Sequence, residues 1–144
     1  MKSTFNKRIK SALLGAVLTL MAGSVWADVA VIVNPANDSN ITSDDISKLY
    51  LGKTKKFPNG KNAVALDRKE GSSERIQFLE ATTGKDESQM KSYWSRLIFT
   101  GKGVPPQVVE TDAEVKELVS RNPDIIGYID AAAVDDSVKV IATF

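Results

Sequence analysis

Asn62-Ala-Val-Ala-Leu-Asp-Arg-Lys-Glu-Gly-Ser-Ser73 decides the fold: an apolar run ends at Asp67, a basic turn holding Gly71 follows, and Ser73 opens an amphipathic helix. The first turn of a helix has unpaired backbone N–H groups and a partial positive charge, so an oxyanion placed at Ser72 and Ser73 meets several donors at once. Arg68 adds a two-pronged, charge-assisted contact. The same Gly-Ser-Ser also reads as ordinary N-cap chemistry, with serine hydroxyls accepting from those amides. On local pattern alone both readings stand.

Working outward, Val29-Ala-Val-Ile-Val33 is a continuous β-branched apolar run, the signature of a strand buried on both faces, and Asn34-Pro35 ends it. Thr42-Ser-Asp-Asp45 is a capping box leading into Ile46, Leu49 and Tyr50 at helical spacing. Lys53 to Lys61, with Pro58-Asn59-Gly60, reads as a solvated lysine-rich turn. Beyond the junction, Ile76, Leu79 and Thr83 share a stripe that ends at Gly84. From Asp86, the residues Met90, Tyr93, Trp94, Leu97 and Ile98 mark the clearest helical period in the chain, read as a core face. Gly101 to Pro106 is loop and Gln107 to Glu110 a strand. Thr111 to Glu114 is a further capping box, and Ile125–Ile129 and Val138–Ala142 close the chain as strands. Strands alternating with helices predict an α/β layer structure with a mostly parallel or mixed sheet flanked by helices.

Residues 1–27 read as a cleavable signal peptide. Lys2, Lys7, Arg8 and Lys10 precede an apolar run from Ala12 to Ala22, and Val25-Trp26-Ala27 supplies a small residue for cleavage. The run is shorter than the ~20 residues needed to span a bilayer. The expected product is a soluble periplasmic domain, residues 28–144, with no membrane insertion after cleavage. Four of the nineteen Lys/Arg fall in the leader and none of the eighteen Asp/Glu does, so the remaining charge is −3. A mildly acidic body argues against bulk binding of nucleic acid or anionic membrane.

In order, the strand ending in Val33-Asn34-Pro35, Ile46 to Lys53, Arg68 to Ser73, Gly101-Lys102-Gly103 and Asn122 to Ile129 form a set. It resembles the phosphate-binding proteins of bacterial ABC transporters, over a single lobe, the second. The resemblance implies one lobe of a type-2 periplasmic-binding-protein-like fold. It also implies an oxyanion site at Arg68, Gly71, Ser72 and Ser73. In the family this junction runs Arg, two variable residues, Gly-Ser-Gly-Thr, and Ser73 falls between the later glycine and the threonine.

The departures are informative. The family's first lobe brings a threonine–phenylalanine turn, a serine and an acidic acceptor, and this chain is expected to start where the family enters the second lobe, without them. Asp112 stands near the start of the helix that faces the ligand in the family, where a carboxylate repels an anion. Asp124 replaces the glycine that commonly follows Asn-Pro. Losing two or three charge-assisted bonds, at about 1.5–3 kcal/mol each, weakens binding by roughly 10²-fold or more.

Two functions of different class follow. One is a periplasmic phosphate- or oxyanion-binding protein associated with phosphate ABC transport, binding weakly. The other is an accessory or sensor module that uses the same lobe to bind a protein partner. Self-association that completes the cleft is a third route. With no histidine or cysteine, the commonest general base, thiolate chemistry and most transition-metal sites are excluded. Neither an enzyme, a cofactor nor a metal site is expected.

Overall fold

The computed structural model describes residues 28–144; the leader reading for residues 1–27 lies outside them. The elements run β1 (Val29–Val33), α1 (Ser43–Tyr50), β2 (Val64–Arg68), α2 (Ser73–Thr83), α3 (Glu87–Phe99), β3 (Gln107–Val109), α4 (Asp112–Arg121), β4 (Ile125–Asp130), a 3₁₀ turn (Ala131–Ala133) and β5 (Lys139–Thr143).

One mixed five-stranded sheet has the order β3-β2-β4-β1-β5. β2 is parallel to both β3 and β4, whereas β1 is antiparallel to β4 and β5. The period-two alternation of β1 splits its side chains between two cores. Val29, Val31 and Val33 meet α1, α2 and α3 through Ile46, Tyr50, Phe78, Met90 and Trp94. Ala30 and Ile32 face α4 through Val115 and Val119. All five β1 residues are buried, as the unbroken apolar run required.

Two residues, Asn34 and Gly127, fix how α4 sits on the sheet. Asn34 donates from its side chain to the Val119 and Ser120 carbonyls, 3.0 and 2.9 Å, and so ties the end of β1 to the last turn of α4. In β4, a Cβ on Gly127 would lie 2.6 Å from Val115 Cγ1, so only glycine lets α4 settle this close. At the sheet margin Val29 and Phe144 exchange both backbone hydrogen bonds at 2.9 Å.

Thr42 and Asp45 form the expected capping box, and Gly84 ends α2 with φ +67°. Three details differ from the sequence reading. Ile98 is 53% exposed, because its side of α3 extends beyond the layer that covers Met90 and Trp94. In α2 the fully buried pair is Phe78 and Leu79, while Ile76 is only half-buried. Thr111 caps α4 by accepting from the Glu114 amide at 3.1 Å, but no reciprocal Glu114 bond closes a box.

Candidate functional site

β2 and β3 run parallel, so their carboxyl ends lie side by side, and the amino ends of α2 and α4 open at the same edge. That edge is where ligands bind in open α/β sheets. Gly71, at φ +85°, provides the left-handed turn between β2 and α2. Ser72 is the N-cap, its hydroxyl accepting from the Arg75 amide at 3.4 Å. The amides of Ser73 and Glu74, at the first two positions of α2, have no partner among the described residues. Ser73 is exposed and Ser72 half-buried.

Arg68 is held by its own chain. Its Nε donates to the Val109 carbonyl at 3.1 Å. Its Nη1 reaches Asp112 Oδ1 at 2.5 Å and the Tyr128 carbonyl at 3.4 Å, and Nη2 reaches the Glu110 carbonyl at 3.2 Å. A guanidinium has five N–H groups, so one remains. With 5% of its surface exposed, Arg68 binds the ends of β2, β3, β4 and α4 together. Asp112, the carboxylate expected to oppose an anion, is its counter-ion.

Beside it lies a second set of bonds. Buried Asp67 accepts from the Tyr128 hydroxyl at 2.5 Å, from the Arg68 amide at 2.8 Å and from Arg75 Nε at 3.3 Å. Arg75 Nη1 continues to Glu87 Oε1 at 2.8 Å, and the same oxygen accepts from the Gly71 amide at 2.8 Å. Burial and the Asp67 charge push the Tyr128 hydroxyl well above its ordinary range, so it stays protonated and donates. Burial works to raise the Glu87 carboxyl, but the Gly71 amide and Arg75 outweigh it and hold the group below its usual value. Among the described residues no buried side-chain nitrogen or oxygen lacks a partner.

Of the four residues that sequence singled out, then, Arg68 and Gly71 are engaged internally, whereas Ser72 and Ser73 face outward beside two unpartnered amides. Asp67, Arg75, Glu87 and Tyr128 were not singled out. The one signal for them is a carboxylate, Asp67, set directly after the buried apolar run of β2.

Three other carboxylates, Asp44, Asp45 and Asp135, have structural roles. Asp45 closes the α1 box and Asp44 pairs with Lys48 at 2.6 Å. Asp135, lowered to about 2 by the Ser137 hydroxyl and then by Lys116, anchors the turn before β5. Among the described residues no cluster of three metal-ligating side chains occurs.

No protein-family model and no curated protein sequence matches the chain. Solved structures do. A phosphate ABC transporter substrate-binding protein from Clostridium perfringens, with bound phosphate, aligns with a TM-score of 0.62 and 27% identity over 80% of this chain and 45% of that one. The chain resembles one lobe of a phosphate-binding protein. An ABC-type phosphate transport receptor from Vibrio cholerae shares the fold, with a TM-score of 0.61 and 24% identity over 81% of this chain and 46% of its own. The chain thus spans less than half the length of either phosphate-binding protein.

Proposed function

We propose that this protein is a periplasmic oxyanion-binding module of the phosphate-receptor kind, acting beside phosphate ABC transport. The observation that carries the reading is the pair of unpartnered amides at Ser73 and Glu74, set at the positive end of α2 next to the Ser72 and Ser73 hydroxyls. Arg68 and Gly71 shape this pole and leave the direct contact to the serines. The likeness to a receptor with bound phosphate supports phosphate as the first anion to test.

The expected affinity is low. Arg68 and Gly71 keep their donors for Asp112, the backbone carbonyls and Glu87, and Glu74 places a carboxylate in the first turn of α2. Two withheld charge-assisted bonds at about 1.5–3 kcal/mol each reduce binding by roughly 10²- to 10⁴-fold. A four-donor site of micromolar strength becomes one of about 0.1–10 mM.

Titration of residues 28–144 with phosphate, sulfate and molybdate, followed by amide NMR, tests this. The Ser73 and Glu74 amides are expected to shift saturably in the millimolar range, with the buried Arg68 amide nearly still. Unmoved Ser73 and Glu74 signals at about 50 mM anion would end the proposal. The engagement of four of the five Arg68 N–H groups within the chain favours a second reading, an accessory or sensor module that binds a protein partner through this lobe. On that reading the anions leave both amides unshifted.

A further inference from the structure

Away from the strand ends, the charge is distributed very unevenly. No Asp or Glu occurs from Ile46 to Leu66 or from Ser88 to Val109, yet these two stretches hold eight of the fifteen Lys/Arg of residues 28–144. The fold brings them together around one side chain. A Cβ on Gly52 would lie 2.7 Å from the Trp94 ring and one on Gly103 3.1 Å from it, so the Gly52-Lys53 turn and the Lys102-Gly103 loop close on the same indole. Lys55 and Val104 line one cavity of about 180 Å³ beside it. Among the described residues, Lys53, Lys55 and Lys102 have no carboxylate partner within ion-pair distance. Two large apolar side chains are exposed here: Phe99, which ends α3 shortly before Lys102, is 92% exposed, and Val104, which lines that cavity with Lys55, is 77% exposed.

An exposed aromatic and an exposed valine on the same corner as three solvated lysines have the chemistry of a side chain set that enters a lipid headgroup layer, with the cations left at the phosphates. We propose that this corner docks the protein on an anionic phospholipid surface, with Phe99 and Val104 inserted and Lys53, Lys55 and Lys102 on the headgroups. No helix among the described residues is long and apolar enough to cross a membrane, so the contact is peripheral. The charge of −3 for residues 28–144 is a sum that hides the corner: the carboxylates nearest to it, Asp67, Glu70 and Glu87, line a separate cavity beside Trp94 and Ile98. Anionic lipid is favoured over zwitterionic lipid because each lysine held near a negative surface strengthens binding by roughly fivefold. The inference is independent of anion binding at α2.

Co-sedimentation of residues 28–144, which contain every strand and helix described above, with vesicles of phosphatidylcholine holding about 30% phosphatidylglycerol tests it. Binding is expected to anionic vesicles and not to pure phosphatidylcholine, and to fall away in about 0.5 M salt. Phe99→Ser with Val104→Ser should lower partitioning roughly 10- to 100-fold. Lys53→Gln, Lys55→Gln and Lys102→Gln together should lower it by about 100-fold, and circular dichroism confirms that both variants fold. Absence of binding to anionic vesicles, or binding indifferent to both variants, overturns the proposal. So does salt-sensitive self-association through Phe99 in sedimentation velocity without vesicle binding, which assigns the patch to a second copy.

Discussion

The strand-end network and the lysine corner use charge in opposite ways. At the strand ends Arg68, Asp67, Arg75, Asp112 and Glu87 are wholly or largely withdrawn from water, and each is bonded to another part of the chain. At the corner Lys53, Lys55 and Lys102 remain in solvent, and packing of two glycines on Trp94 fixes the backbone. Ions set the shape in the first region, and shape presents ions in the second. The difference shows why a basic residue next to a helix start need not be a ligand donor. Once a guanidinium is sealed among carbonyls, it acts as a structural tie.

The largest effect that separates the regions is expected from Arg68→Met. Removing one member of a buried pair leaves Asp112 and three carbonyls without their donor, a loss of about 3–5 kcal/mol in urea unfolding. A loss below about 1 kcal/mol would place Arg68 with the exposed cations and break the comparison. Gly52→Ala comes next, at about 1–3 kcal/mol by thermal melting, since φ is +69° there and the new methyl meets Trp94.

Glu87→Gln sharpens the first region through pH. The Glu87 carboxyl titrates lower in the fold than in the unfolded chain, so its contribution is present above its ordinary value of about 4.3 and is lost as pH falls through the lowered folded value. The variant should lose about 1–2 kcal/mol at pH 7, and denaturation curves of the two proteins should converge once pH falls below that lowered folded value. A gap that stays constant with pH would mean that Glu87 acts through packing alone. The smallest effect belongs to the corner: Phe99→Ser and Lys53→Gln should each change stability by no more than about 0.5 kcal/mol. A larger loss would show that these side chains are covered in solution.

Much of this architecture was legible because it depends on short-range rules. β1 declared its two-sided burial in five consecutive apolar residues, and Thr42, Ser72, Asp86 and Thr111 each start a helix as their side chains predict. The resemblance to a lobe of the phosphate-binding proteins is matched by the solved structures. Ile98 was misplaced because helical period assigns a face without telling where the neighbouring layer ends. The candidate site was only half legible. Gly71 and Ser72 follow from the local turn, but the bonds from Arg68 to Val109 and Asp112, and from Gly71 to Glu87, join residues on different elements for which no spacing rule exists.

The reciprocal rung between Val29 and Phe144 has a mechanical consequence. Val29 and Phe144 lie side by side there with β1 and β5 antiparallel, so tension applied across these two residues peels the strands one hydrogen-bonded pair at a time. Under such a load the sheet yields first at that rung.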